Sequence, residues 1–235
     1  MRLRREAPKE LSYVTVVTYG RTGSTAIQAS LNALPGVLVR GENYSALRGL
    51  GNYLQSIAEV ADRHHAGKPS HPWYGSAQLD PGAVLADIRR HVTDYVLRPD
   101  RNANWIGFKE VRYEPGHFGT YDELLQHLIF MGRLFPGLRY LMNVREPADA
   151  ARSGWWPDNS DALEVLTTTR AWLLLAVTDL NDFFGADRAV GVAYEQWSVD
   201  PQYLIDAYAG LGLPRDDDAV RAALAERLEH GSHVS

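Results

Sequence analysis

The chain has 235 residues, of which 45% are hydrophobic and 23% charged, the composition of an ordinary folded domain rather than of a fibre or a disordered segment. The formal net charge of −5 argues against a general affinity for nucleic acid or an anionic membrane, because both need an excess of Lys and Arg on one face. The absence of cysteine excludes disulfides, thiolate zinc sites and cysteine nucleophiles. We expect a single domain over residues 1–235.

The sequence also predicts a cytoplasmic protein without a membrane partner. No apolar stretch follows Arg2, Arg4 and Arg5 that could act as a signal peptide. The longest apolar run, residues 171–177, is too short to cross a bilayer, which takes roughly 20 residues.

Short segments rich in β-branched or aromatic residues predict the strands. They are residues 13–19, 105–109, 139–144 and 189–194, with residues 37–39 as a shorter fifth candidate. Segments with helical spacing separate them: 25–34, 44–61, 81–97, 121–135, 161–184, 201–211 and 217–228. Strands that alternate with helices are typical of a parallel sheet covered on both faces. We therefore predict an α/β, three-layer, doubly wound, P-loop-like fold with about four to five parallel strands.

Residues 64–79 are the least regular part of the chain, because glycine and proline break every period there. Such excursions over the surface often border binding sites. His64, His65 and His71 lie in this segment without the spacing of metal ligands, so we predict no metal site.

The segment after the first predicted strand has the pattern of a phosphate-binding turn. The β-branched run 14–18 stops at Tyr19-Gly20, and a helical pattern begins just past Ser24. Such a turn points several backbone N–H groups and the positive helix end at one spot. The ATP-binding motif GxxxxGK[ST] has a lysine here, whereas this chain has Gly23-Ser24-Thr25 with Arg21 earlier in the turn, which favours a metal-free donor over ATP. The alternative is a plain turn in which Ser24 or Thr25 caps the helix.

Three motifs in chain order resemble those of the sulfotransferases that use 3′-phosphoadenosine 5′-phosphosulfate (PAPS). Residues 19–25, Tyr-Gly-Arg-Thr-Gly-Ser-Thr, resemble the family's loop for the 5′-phosphosulfate. Arg145 in Asn-Val-Arg-Glu-Pro and Ser153 eight residues later resemble the pair that grips the 3′-phosphate. Tyr194-Glu195 before Asp200-Pro201 resembles a third family motif, and the resemblance spans residues 13 to about 213.

The resemblance implies a donor site whose product is 3′-phosphoadenosine 5′-phosphate (PAP). Its residues are Arg21, Thr22, Gly23, Ser24, Thr25, Arg145, Ser153 and Tyr194. The spacing is physically sensible, because Arg145 would end a parallel strand at the edge where doubly wound folds bind ligands. Pro147 can open the following helix, whose first turns would return Ser153 to that edge.

Sulfuryl transfer needs positioning, stabilisation of the leaving phosphate and a base for the acceptor proton. Phenol-type and steroid-type members use a histidine two positions after a strand lysine, but here Val111 follows Lys109 at that spacing. Members that modify carbohydrates or protein tyrosines use a glutamate after the first helix, the place of Glu42. We predict Glu42 as the general base with His117 in reserve, Arg21 on the leaving phosphate and Lys109 on the transferring sulfuryl group.

Plainer interpretations of these residues stay open. Glu42 could be a solvated loop carboxylate, and Lys109 could pair with Glu110 or Glu114 because a buried ammonium needs an anionic partner. Trp155 and Trp156 could stack on adenine or on the acceptor, or simply lie in the core.

The predicted acceptor is a hydroxyl or amine of a small molecule or carbohydrate. We expect Tyr44, Arg112 and His117 to contact it, in a pocket formed by the loops 42–54, 64–79 and 112–121. Two other functions compete with this prediction: a P-loop small-molecule kinase, which needs a loop lysine, and a non-catalytic nucleotide-binding protein.

Overall fold

A computed structural model of the protein describes residues 10–63 and 68–231, with side chains to residue 226. Five parallel strands form one sheet in the order β2-β3-β1-β4-β5. The strands are β1 (Ser12–Val17), β2 (Val37–Arg40), β3 (Trp105–Glu110), β4 (Arg139–Val144) and β5 (Ala189–Ala193). The predicted parallel sheet is therefore confirmed, including its short fifth strand.

Helices cover both faces of this sheet. They are α1 (Ser24–Ala33), α2 (Ala46–Ala61), α3 (Pro81–His91), α4 (Pro115–Phe118), α5 (Tyr121–Leu134), α6 (Pro147–Ala151), α7 (Ala162–Phe184), α8 (Tyr194–Trp197), α9 (Gln202–Gly210) and α10 (Asp217–Gly231). Short 3₁₀ turns lie at Ser76–Gln78 and Trp156–Asp158. Among the described residues, no helix is both long and apolar enough to span a membrane.

Two apolar cores sandwich the sheet because side chains alternate along each strand. Val14 and Val16 of β1 pack with residues of α1, α9 and α10 on one face. Val17 belongs to the other core, with residues of α5 and α7. This is the three-layer architecture that the alternation of strand and helix predicted.

Several predicted boundaries were wrong. The strand predicted over residues 13–19 ends at Val17, and the strand predicted over 189–194 ends at Ala193, because Tyr194 opens α8 and turns Trp197 into the core. The helix predicted over 44–61 begins at Ala46, since Tyr44 and Ser45 have positive φ of 59° and 56°.

Two further corrections concern helix shape. The helix predicted over 81–97 continues from α3 into a π-helix at Val92–Leu97. Helix α6 ends at Ala151, so Ser153 lies just beyond it and not within its first turns. His64 and His65 lie outside the described residues.

Candidate functional site

The predicted site residues meet along the carboxyl edge of the sheet. In a parallel sheet the carboxyl ends of all strands lie at the same edge, here in register, with Val17 of β1 opposite Glu110 of β3 and Met142 of β4. The loops after β1, β4 and β5 form one half of the edge, which we call the β4–β5 half although it includes the turn after β1. The loops after β2 and β3 form the other, the β2–β3 half.

The turn after β1 contains a row of backbone N–H groups without hydrogen-bond partners in the described part of the chain. Arg21 and Gly23 have positive φ of 71° and 75°, which bends residues 20–25 into a concave turn in front of α1. Across the described residues, no backbone carbonyl accepts the N–H groups of residues 20–25. Gly23 is the N-cap of α1 without a side-chain capping bond, so the alternative in which Ser24 or Thr25 caps the helix is wrong. The turn has the geometry of an anion site.

Buried hydrogen bonds fix this turn from below. The hydroxyls of Thr18 and Thr22 lie 2.7 Å apart, and Thr22 Oγ1 also donates to the carbonyl of Tyr19 at 3.0 Å. Asn143 Nδ2 donates to the Thr22 carbonyl at 2.9 Å, while its Oδ1 accepts from Trp197 Nε1 at 3.0 Å. The Thr22 side chain is therefore structural, and of the polar groups of this residue the backbone N–H has no partner among the described residues.

Gly23 is required by contact as well as by conformation. A Cβ at this position would lie 2.8 Å from ring atoms of both Tyr194 and Trp197. Those two rings meet edge to face with centroids 5.0 Å apart. Helix α8 thus forms a wall against which the turn packs closely, a reason for glycine that the sequence pattern alone does not reveal.

Arg145 extends from the end of β4 beneath the same turn. Its Nη1 donates to the Arg21 carbonyl at 2.9 Å, and its guanidinium lies 4.4 Å from the centre of the Tyr194 ring. Its Nε is buried without a hydrogen-bond partner. Tyr19 Oη accepts the Arg145 backbone N–H at 2.8 Å and also donates to the Arg145 carbonyl; burial raises the Tyr19 pKa to about 12. A buried donor without a protein partner needs an acceptor from an ordered water, an ion or a ligand.

Arg21 and Ser153 are hydrogen-bonded to each other. Arg21 Nε donates to Ser153 Oγ at 2.9 Å. The Arg21 side chain crosses Gly154, where a Cβ would lie only 2.6 Å from Arg21 Cδ. The structure therefore brings Arg21, Arg145 and Ser153 together, with the Arg21 guanidinium on the Ser153 side of the turn.

Two tryptophans close the β4–β5 half. Trp155 is 57% exposed and its ring covers Gly20, where a Cβ would lie 2.5 Å from it. Trp156 is buried, and its Nε1 is a second buried donor without a partner. Of the two locations that the sequence left open, Trp156 has the one in the core. Trp155 instead presents its ring to solvent beside the turn.

In the β2–β3 half, Glu42 is bound by two cations. Lys109 Nζ lies 2.6 Å from Glu42 Oε1, and Arg112 Nη1 lies 2.9 Å from Glu42 Oε2. Burial raises the pKa of Glu42, but the hydrogen bonds and charges of Lys109 and Arg112 outweigh it and hold that pKa below its usual range. The partner of Lys109 is therefore Glu42, and neither Glu110 nor Glu114.

A second carboxylate, that of Glu110, also contacts Arg112 in this cluster of charges. It is 2% exposed, and Arg112 Nη1 reaches its Oε1 at 2.9 Å while also reaching Glu42. Residues 44 and 45 above it adopt the left-handed conformation, which costs non-glycine residues roughly 1–3 kcal/mol each. The loop that carries Glu42 is therefore strained and needs external support.

His117 lies near these groups on α4, beside Glu114. Its Nδ1 is 3.2 Å from Glu114 Oε1, without the geometry of a hydrogen bond, and Glu114 Oε2 is buried without a partner. Burial raises the pKa of Glu114, and the charges of His117 and Arg112 offset this only in part. No hydrogen bond joins the pair, so Glu114 does not orient the imidazole here, and His117 stays the reserve base that the sequence predicted.

A groove of about 750 Å³ runs between α2 and α5 and includes residues of two of the three predicted acceptor loops. Arg48 lies 5.0 Å from the centre of the Phe118 ring at this groove. His127 contributes to its wall, and burial lowers the pKa of that imidazole to about 4, so it is neutral at physiological pH. Tyr44 is 78% exposed, with its ring 4.2 Å from the Arg112 guanidinium.

Two residues were given no role at the site from the sequence: Glu110 and Asn143. Each is a polar side chain inside a buried strand, and each has hydrogen-bond partners far away in the chain. The available signal was weak: a charged or amide residue that ends a buried strand needs a partner.

Comparison with known proteins identifies the fold. No protein-family model and no curated protein sequence matches the chain. Among solved structures, the sulfotransferase domain of the Synechococcus PCC 7002 olefin synthase superposes with a TM-score of 0.57 at 19% identity, over 94% of this chain and 80% of that one.

Two further structures agree. The sulfotransferase domain of the curacin biosynthetic pathway gives a TM-score of 0.52 at 13% identity, over 89% of this chain and 76% of that one. Sulfotransferase STF9 from Mycobacterium avium gives 0.52 at 14% identity, over 95% and 69%. The chain thus has the sulfotransferase fold, as the sequence motifs predicted.

Proposed function

We propose that this protein transfers a sulfuryl group from PAPS to a hydroxyl or amine of a small-molecule or carbohydrate acceptor and releases PAP. One observation carries the proposal: the unpaired N–H row of residues 20–25 lies beside the unpartnered Nε of Arg145, in a fold of this type. These donors suit a ligand with two separate anionic groups, which distinguishes PAPS from ATP.

The donor site occupies the β4–β5 half. The N–H groups of residues 21–25 and the hydroxyls of Ser24 and Thr25 would hold the 5′-phosphosulfate at the start of α1. Arg145 and Ser153 would hold the 3′-phosphate, with the Tyr194 ring keeping the Arg145 guanidinium in place. Trp155 offers an exposed ring to the adenine.

Arg21 can serve either phosphate. Its N–H belongs to the turn, and its guanidinium lies against Ser153 in the structure. To stabilise the leaving phosphate as a catalytic residue, the guanidinium must exchange Ser153 for the 5′-phosphate. A rotation of this flexible side chain is sufficient for that exchange.

Catalysis occurs in the β2–β3 half. When bound, PAPS supplies an activated sulfuryl group whose S–O bond to phosphate breaks as the acceptor oxygen or nitrogen attacks. Lys109 would neutralise charge on the sulfuryl oxygens, and Glu42 would take the acceptor proton. Because Lys109 is also the ion-pair partner of Glu42, its movement toward the sulfuryl group removes one cation from Glu42 and makes that carboxylate more basic.

The acceptor would approach from the side of Tyr44, Arg112 and His117. Arg112 lies 2.9 Å from Glu42 and its guanidinium lies 4.2 Å from the centre of the Tyr44 ring, while His117 lies beside Glu114. The exposed Tyr44 ring suits a sugar or an aromatic ring.

Calorimetric titration with PAP, ADP, AMP and ATP tests the donor site. We expect PAP to bind at least roughly tenfold more tightly than the others, because a charge-assisted contact to the 3′-phosphate contributes ~1.5–3 kcal/mol. Arg145→Gln should abolish this preference, whereas Arg139→Gln, which loses a bond to the Asp187 carbonyl away from the site, should keep it. Equal affinities for all four nucleotides in the unmodified protein would refute the proposal.

Transfer of labelled sulfate from PAPS to a panel of acceptors tests catalysis. We expect Glu42→Gln and Lys109→Ala to lower transfer by roughly 10²–10⁴-fold without loss of PAP binding. Undiminished transfer in both variants would show that the catalytic assignment is wrong. PAP binding without transfer to any acceptor would favour a non-catalytic nucleotide-binding protein, and magnesium-dependent ATP consumption would favour a kinase.

A further inference from the structure

Glu110 is a buried carboxylate whose two oxygens are fully occupied. Oε2 accepts the backbone N–H groups of Asn43 at 3.2 Å and Ser45 at 2.9 Å. Oε1 accepts the Val111 N–H and Arg112 Nη1, each at 2.9 Å. Four donors on one side chain with 2% exposure indicate a fixed carboxylate that neither moves nor contacts solvent.

The two Oε2 contacts bracket the strained part of the loop after β2. Asn43 and Ser45 flank Tyr44, and Tyr44 and Ser45 have φ of 59° and 56°. Such a conformation persists only where the surroundings impose it. Among the described residues, Glu110 is the side chain that binds these two N–H groups, so it holds the loop in the conformation that carries Glu42.

The Oε1 contacts of Glu110 include Arg112, one of the two cations beside Glu42. Arg112 Nη1 lies 2.9 Å from Glu110 and 2.9 Å from Glu42, so it bridges the two carboxylates. In addition, the Glu110 carbonyl accepts the Thr18 N–H at 3.3 Å, where the chain enters the turn after β1. One residue therefore contacts the loop of Glu42, the cation beside Glu42 and the strand end that precedes the donor turn.

We propose that Glu110 is a positioning residue that places Glu42 against Lys109 by fixing both the 43–45 loop and Arg112. The inference rests on the proposed function for the role of Glu42, and it adds a residue that touches neither the donor nor the acceptor. Glu110→Gln preserves the size of the side chain but replaces one acceptor oxygen with a donor, so at least two of the four contacts are lost.

The experiment compares the unmodified protein, Glu110→Gln and the control Asp179→Asn. Asp179 is a partly buried carboxylate that accepts the Tyr121 hydroxyl at 2.5 Å, away from this group. Three quantities are measured: kcat for sulfate transfer across pH, the Kd for PAP, and amide hydrogen exchange at Asn43 and Ser45.

We expect Glu110→Gln to lower kcat by roughly 10–100-fold, comparable to a misplaced catalytic group, with the PAP Kd changed by less than about threefold. The acid limb of the kcat profile should move to higher pH, because Glu42 loses the ordered cations that hold its pKa down. Exchange at Asn43 and Ser45 should accelerate by at least roughly tenfold, whereas Asp179→Asn should leave all three quantities unchanged.

Unchanged kcat and exchange in Glu110→Gln would overturn the inference. A general rise in exchange with loss of PAP binding would overturn it too, because it indicates a purely structural role.

If Glu110→Gln does not fold, Glu110→Asp keeps the charge but shortens the side chain. A tenfold loss of kcat with native PAP affinity in this variant supports the inference, and native kcat overturns it. If the unmodified protein transfers no sulfate, the proposed function fails separately, and exchange at Asn43 and Ser45 alone decides whether Glu110 holds the loop.

Discussion

Glu42 shows how neighbouring charges set the state of a single residue. With two cations within 2.9 Å, its carboxylate is ionised at neutral pH and therefore able to accept a proton. The same cations make it a weak base while both remain in place. The arrangement is consistent with catalysis only if the bound donor draws Lys109 away.

The pH dependence of transfer distinguishes Glu42 from His117. A base with a lowered carboxyl pKa is ionised at all higher pH values, so we expect kcat/KM to stay level near neutrality and to fall only below about pH 4.5, the usual value for glutamate. A base of the imidazole type in general gives an acid limb near pH 6.5 and not near pH 4.5. A limb near pH 6.5 that disappears in His117→Gln would contradict the assignment to Glu42.

Gly23 is the residue on which the donor turn most depends. We expect Gly23→Ala to lower the free energy of unfolding by ~1–3 kcal/mol through its positive φ and its contacts with Tyr194 and Trp197. PAP affinity should fall by roughly tenfold, equivalent to one lost charge-assisted hydrogen bond.

Urea unfolding and calorimetry measure both effects of Gly23→Ala. The control is Gly49→Ala, in α2, where a Cβ meets no atom within 4 Å. Because alanine favours helix over glycine by ~1 kcal/mol, the control should be as stable as the unmodified protein or more so. A Gly23→Ala variant with native stability and native affinity would show that the turn tolerates a side chain.

At the scale of elements, Asn143 joins β4 to the turn after β1 and to α8. Asn143→Leu leaves the Thr22 carbonyl and the Trp197 indole N–H without partners in the core. We expect a loss of ~2–4 kcal/mol in the free energy of unfolding, since each buried unpaired group costs ~1–3 kcal/mol.

The matched control for Asn143 is Asn181→Leu. Asn181 bonds the backbone of residues 188 and 189 at the start of β5, so its replacement removes similar contacts at the opposite edge of the sheet. Both variants should unfold at lower urea concentration, but only Asn143→Leu should weaken PAP binding at concentrations where each variant is folded. Equal PAP affinities in the two variants would show that the hydrogen bonds of Asn143 do not contribute to donor binding.

The elements that the sequence predicted well are those with strong local patterns. Each β-branched run became a strand because its alternation or continuous apolarity has no stable alternative outside a sheet. The strand order could not be read in the same way, because it depends on which apolar faces pack together and not on any segment by itself. The short helices α4 and α8 were missed because four residues carry no detectable period, whereas α6 was expected from the proline that opens it.

The same distinction between local patterns and long-range contacts applies to the residues of the candidate site. Arg21, Arg145, Ser153 and Glu42 could be proposed from the sequence because they lie in segments that resemble motifs of the sulfotransferases. The ion pair of Lys109 with Glu42 joins residues 67 apart in the chain, and the contacts of Glu110 reach similarly far. Such pairings arise from the docking of β2 beside β3, which local patterns do not specify.

At the scale of the whole molecule, donor binding should stabilise the fold by mass action. PAP at 100 times its Kd should add ~2.7 kcal/mol, which for a domain of this size raises Tm by about 5–10 °C. AMP at the same concentration should raise Tm less, because it lacks the 3′-phosphate. Thermal unfolding monitored by circular dichroism measures the shift, and equal shifts for the two nucleotides would contradict a dedicated 3′-phosphate site.

The strand order has a consequence for how the protein could change. Because β1 lies at the centre, the proposed donor contacts follow β1, β4 and β5, whereas Glu42, Lys109 and the proposed acceptor residues lie at the ends of β2 and β3 or in the loops that follow them. A new acceptor preference can therefore arise by replacement of the loops after β2 and β3, while the nucleotide contacts remain intact. The boundary of such a graft is set by Glu110, whose carbonyl and carboxylate belong to both sides. A chimera that retains Glu110 should therefore keep the hydrogen bonds that join the replaced loops to the turn after β1.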